Sequence, residues 1–101
     1  MTFGLDEATY SNIRNIFKKY GSIEKVILFG SRALGTSRPE SDIDLALFGC
    51  LDLYDLSHVR ENLDELSTPY LFDVVDYASI ENQEFKKHID QYGKVFYERK
   101  S

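Results

Sequence analysis

Between residues 42 and 45 the chain reads Asp-Ile-Asp-Leu, charge and hydrocarbon in strict alternation. A period of two belongs to an extended strand, so Asp42 and Asp44 leave one face while Ile43 and Leu45 leave the other. The strand is expected over Asp42 to Phe48, with Ile43, Leu45 and Leu47 turned inward. Whatever sheet this strand joins must bury one side and carry two carboxylates on the other, their Cα atoms roughly 6.5–7 Å apart.

Neighbouring like charges repel, and each disfavours ionisation of the other. Asp42 could simply cap the strand edge with Asp44 solvated, and the pair alone leaves that open. A divalent cation gives both a purpose. Carboxylate oxygens suit Mg²⁺, which keeps several waters and commonly shares its shell with substrate phosphates. Two such ions about 4 Å apart can activate an attacking hydroxyl and stabilise a leaving oxygen.

The elements around this strand follow from apolar spacing. Tyr10, Ile13, Ile16, Phe17 and Tyr20 share one face of a helix from about Glu7 to Tyr20, with Asp6 as N-cap and Gly21 as terminator. Val26-Ile27-Leu28-Phe29 reads as a buried strand broken by Gly30, and the polar stretch from Gly35 to Ser41 as an exposed loop. Leu53, Leu56, Val59, Leu63 and Leu66 form the stripe of an amphipathic helix ending before Pro69. Leu71 to Asp76 is a further strand, Phe85, Ile89 and Tyr92 mark a helix that Gly93 stops, and Val95-Phe96-Tyr97 is a short closing strand or an extended tail. That order predicts an α/β or α+β layer structure, a small sheet packed under helices.

Composition narrows the classes. The 101 residues are expected to form one domain, 1–101, and 43% apolar content with seven Tyr and seven Phe can build a core. The longest apolar run, Leu45 to Leu51 counting Gly49, falls far short of the about 20 residues of a membrane span. The first residues show neither a basic n-region nor an apolar h-region, so no secretory signal is expected. One cysteine, Cys50, rules out an internal disulfide and suits a reducing cytoplasm; after Gly49 at a strand end it reads as a small buried filler. Net charge is −5 and no basic run exceeds two residues, so gripping duplex nucleic acid is disfavoured as the main role. His58 and His88 read as surface or rim residues.

Gly30-Ser31 follows the first strand. Glycine lets backbone approach a phosphate closely, a helix starting at Ser31 or Arg32 would aim N–H groups at it, and the Ser31 hydroxyl adds a donor. Taken alone, glycine-serine also fits an ordinary turn. A third carboxylate is expected from Leu71–Asp76, where Asp73 and Asp76 point to opposite faces because their separation is odd. Asp73 is preferred, as a charge inside the apolar run needs a reason; Asp76 reads as a strand-terminating residue.

Gly30-Ser31, ten intervening residues, Asp42-Ile43-Asp44 and a later acidic residue in an apolar strand together resemble the DNA-polymerase-β-type nucleotidyltransferase superfamily, in particular its minimal nucleotidyltransferase branch. The resemblance implies a small mixed sheet with helices mainly on one side. It also implies Mg²⁺-dependent transfer of a nucleoside monophosphate, with AMP from ATP the expected case, releasing pyrophosphate. By the same resemblance Gly30, Ser31 and Arg32 would bind nucleotide, with Arg38 in the loop a further phosphate-steering candidate. Asp42, Asp44 and Asp73 would be the catalytic residues and metal ligands for two Mg²⁺ ions, Asp73 also helping to deprotonate the acceptor.

Relatives of this branch are paired with a small helical HEPN-type protein, so the resemblance implies such a partner; the oligomeric state, homodimer or hetero-oligomer, stays open. Tyr70, Tyr92, Phe96 and Tyr97 either pack internally or offer aromatic surface for a partner. Two functions remain: an enzyme that nucleotidylates a hydroxyl on a partner protein or small molecule, and a catalytically weak nucleotide-binding antitoxin that acts by docking its helical partner. Keeping both aspartates of Asp-x-Asp favours the first.

Overall fold

A computed structural model describes residues 3–35 and 42–99. The chain runs α1 (Glu7–Lys18), β1 (Ile23–Phe29), α2 (Ser31–Leu34), β2 (Ile43–Gly49), α3 (Leu53–Asp64), β3 (Phe72–Asp76), a single 3₁₀ turn (Tyr77–Ser79), α4 (Gln83–Tyr92) and β4 (Lys94–Glu98). Most of the loop expected before β2, including Arg38, lies outside the described residues.

The strands form one mixed sheet in the order β3-β2-β1-β4. β1 is antiparallel to both β2 and β4, whereas β2 and β3 run parallel, joined by the α3 crossover. Val95-Phe96-Tyr97 is thus a true closing strand on the β1 edge. Alternation sorts the sheet residues onto two cores. Val26, Leu28, Ile43, Leu45, Leu47 and Val74 face α1 and α3, while Ile27, Phe29, Ala46 and Val75 face α4 and the 3₁₀ turn. The two longest helices therefore share one side, and α4 lies across the other.

Each of these three helices starts at a side-chain cap that satisfies an orphan N–H. Asp6 accepts from the Thr9 N–H at 3.2 Å and from the Thr9 hydroxyl at 2.7 Å. Asp52 accepts from the Asp55 N–H at 2.7 Å, and Asn82 from the Phe85 N–H at 3.1 Å. Ile13, Ile16 and Phe17 of α1 and Leu56, Val59 and Leu63 of α3 are buried, so their stripes supply most of the larger core. α4 stops at Gly93, whose backbone turns extended (φ −67°, ψ 152°), and a Cβ at this position would meet Ile27 and the Ile89 carbonyl.

Several expectations need correction. α1 ends at Lys18, with Lys19 rather than Gly21 closing it: the Lys19 N–H bonds back to the Ile16 carbonyl and the Tyr20 N–H to the Phe17 carbonyl, each at 3.1 Å. Leu53 opens α3 and is 85% exposed, so the buried stripe begins at Leu56. Cys50 is exposed in the turn between β2 and α3, not a buried filler. Phe96 and Tyr97 are absorbed by the core, whereas Tyr92 remains exposed beside His88. Among the described residues no helix is long and apolar enough to cross a membrane.

Candidate active site

The site is assembled where β1 ends and β2 and β3 begin. Asp44 is in register with Phe29 of β1 on one side and with Asp73 of β3 on the other. Directly neighbouring strands lie about 4.8 Å apart, so the two carboxylates leave the same side of the sheet as close neighbours. This is the α4 side, since Ala46 and Val75, two residues further along, belong to its core. Asp42 precedes β2 by one residue and is exposed, as is Asp73; Asp44 is half-buried.

Apolar surroundings are therefore not what singles out Asp73. It is exposed, and its side of the strand is what distinguishes it from Asp76. Asp76 pairs with Leu47 in register and caps the 3₁₀ turn, accepting from the Ala78 N–H at 3.2 Å and the Ser79 hydroxyl at 3.0 Å.

Gly30 joins β1 to the short α2 at φ +79° and ψ −159°, backbone space that is essentially glycine's alone. It also lies against Asp44: a Cβ there would collide with the Asp44 carboxylate, its Cγ only 3.1 Å away. The glycine-serine turn and the carboxylate row are thus in contact. The Gly30 carbonyl accepts from the Ala33 and Leu34 N–H groups at 3.1 and 3.2 Å, which holds Ser31 at the first position of α2.

Arg32 is 5% exposed. Its guanidinium donates to the Phe3 carbonyl at 3.1 Å and lies over the Tyr70 ring at 4.8 Å. Nothing in the sequence marks Phe3 as a partner, and Tyr70 reads there as an aromatic that either packs internally or faces a partner. Both sit behind the turn and hold the arginine in place.

Electrostatics follow from the packing. Burial, then the charge of Asp73, then that of Asp42, push the Asp44 carboxyl up from its ordinary 3.8 to about 6, and Arg32 offsets part of this. Among the described residues no three His, Cys, Asp or Glu side chains are drawn together as a ready-made metal cage. What the sheet supplies is a row of hard oxygen donors whose mutual repulsion a hard divalent cation would relieve, so the donor set fits Mg²⁺.

Residues 11–101 match the family described as Polymerase beta, Nucleotidyltransferase. The chain belongs to the polymerase beta nucleotidyltransferase family. No curated protein matches it. Among solved structures, a chain of a toxin-antitoxin crystal structure with AMP-PNP is 22% identical, aligned over 89% of this chain and 73% of that one, with a TM-score of 0.72. The complex of a tri-AMPylated Shewanella oneidensis HEPN toxin with MNT antitoxin gives 18% identity, 94% and 74% coverage, and a TM-score of 0.68. An MntA-HepT toxin-antitoxin structure gives 18%, 93%, 74% and 0.67. At these identities the likeness establishes the polymerase-beta-like fold.

Proposed function

We propose that this nucleotidyltransferase-family chain uses Mg²⁺ to move AMP from ATP onto a hydroxyl of a helical HEPN-type partner, as the antitoxin half of a two-component pair. The observation that carries the proposal is the in-register pairing of Asp44 with Asp73 against Gly30. Family membership supports the reaction class, and the toxin-antitoxin structures, one with AMP-PNP and one with an AMPylated HEPN toxin, support the nucleotide and the partner.

In this reading Asp42, Asp44 and Asp73 hold the metal, which when bound neutralises triphosphate charge and stabilises the departing pyrophosphate. Gly30 lets the chain pass close to the phosphates, the Ser31 hydroxyl donates to them, and Arg32 supplies positive charge from behind the turn. Asp73, an exposed carboxylate beside Asp44, is suited to take the proton of the incoming hydroxyl. Asp44 and Asp73 lie on the paired strands β2 and β3, so the orientation of these two carboxylates is set by sheet geometry rather than by a loop.

The test mixes the chain with a HEPN-type helical protein from the same source, Mg²⁺ and α-labelled ATP. Label is expected on the partner with wild type and at least about a hundredfold less with Asp44→Asn. Complex formation without label from wild type would replace this reading with a docking antitoxin that binds nucleotide without turnover.

A further inference from the structure

The opposite end of the sheet has the opposite charge. The last turn of α1, the bend before β1 and the exit from β4 enclose a cleft of about 410 Å³ lined by Arg14, Lys18, Tyr20, Tyr97, Glu98 and Arg99. Glu98 pairs with Lys25 near the start of β1, whereas Asp44 pairs with Phe29 at its end. Four residues of strand, about 13 Å, separate the two places.

Three cations against one carboxylate are concentrated here in a chain whose net charge is −5. Lys18 alone is explained by the α1 C-terminus, where a cation complements the helix dipole. Arg14, a turn earlier, is not. Its guanidinium is held near two rings, 5.5 Å from the Tyr10 centroid and 6.0 Å from that of Tyr97. Its Nε is buried and has no hydrogen-bond partner among the described residues. Buried donors are nearly always paired, since an unmatched one forfeits its hydration. Arg99 closes the wall by donating to the Gly21 carbonyl.

We propose that this cleft docks a carboxylate-bearing segment, Asp or Glu side chains, of a partner protein. A planar guanidinium already held near two rings matches a carboxylate with less ordering left to do. Arginine and tyrosine together are what interface centres favour. A continuous polyanion such as nucleic acid fits poorly, because Glu98 lines the cleft, Glu24 lies close by and the chain as a whole is acidic. The proposal is independent of the nucleotidyl transfer argued above.

The test is an NMR titration of the full ¹⁵N-labelled chain with acetyl-tetraglutamate amide, against tetraglutamine and inorganic phosphate. The glutamate peptide is expected to shift the Arg14 Nε–H and the amides of Lys18, Gly21 and Arg99 saturably, weakening as salt rises. Arg14→Gln with Lys18→Gln should weaken binding at least about tenfold while the remaining spectrum stays folded. Arg99→Gln with Lys18→Gln serves if loss of Arg14 disturbs the tyrosines. Binding no better than tetraglutamine, undiminished binding in the variants, or saturation of the same signals by phosphate at equal or lower concentration overturns the proposal.

Discussion

Replacing Asp44 by asparagine tests the electrostatics without changing shape. In the folded protein the Asp44 carboxyl is raised to about 6 from 3.8, so the fold holds this proton more tightly than the unfolded chain does. Ionising Asp44 therefore costs stability: nothing below pH 3.8, an increasing amount between 3.8 and 6, and the full amount above 6. Taken at face value that difference is about 3 kcal/mol, and solvent screening at a half-buried carboxylate reduces it to about 1 kcal/mol. The asparagine side chain carries no charge. In EDTA at about pH 7.5 the variant should therefore be more stable than wild type by about 1 kcal/mol, or about 4–8 °C in Tm for a domain of this size. The advantage should shrink as the pH falls below about 6 and vanish once it passes 3.8, where the wild-type carboxyl is protonated in both states. Urea denaturation of both proteins across that range reads this directly. A variant destabilised near neutral pH, or an offset that ignores pH, would mean Asp44 is a structural acceptor and not a strained member of an anionic row.

Two further substitutions probe the supports of the site. Arg32→Gln leaves the Phe3 carbonyl without its donor and should cost about 1–3 kcal/mol in urea denaturation; because Arg32 lowers the Asp44 pKa, carboxyl ¹³C titration should find Asp44 above its wild-type value, and an unmoved titration would show that the arginine charge does not reach it. Gly30→Ala puts a side chain into glycine-only backbone space and against the Asp44 carboxylate, so a loss of about 2–3 kcal/mol or more is expected. Part of that loss should disappear when Gly30→Ala is made in an Asp44→Ala background, and strict additivity would show that the contact is not its cause.

Much of the architecture is readable because side-chain period reports backbone geometry. The Asp42–Leu45 alternation identifies β2 and the side Asp44 takes, and the stripe residues Ile13, Ile16 and Phe17 identify the buried face of α1. Contacts between residues distant in sequence are not readable. Phe96 and Tyr97 look like surplus aromatics until β4 is seen to pair with β1, some seventy residues earlier, where α1 covers them. The apolar neighbours of Asp73 single it out in the sequence, yet in the fold it is exposed, and what sets it apart is its register with Asp44 on the next strand, which no local pattern encodes. The role of Arg32 behind the turn is invisible for a similar reason: its acceptor is a backbone carbonyl, and a carbonyl has no sequence signature. The glycine-serine turn shows its position but not that Gly30 is forced by the Asp44 carboxylate lying against it.

The strand order has a consequence for how the molecule comes into being. Its two central strands are the first two made, and the later ones attach to the outer flanks, β3 on one side and β4 on the other. A ribbon of β1 and β2 alone carries Asp44 with no acidic neighbour across from it, and so takes on none of the Asp73 repulsion. That burden arrives only when the crossover through α3 delivers β3, by which time Val74 brings apolar contact along with the charge. Assembly of the carboxylate row is thereby coupled to completion of the sheet, and a half-built chain would lack the Asp44–Asp73 pair altogether.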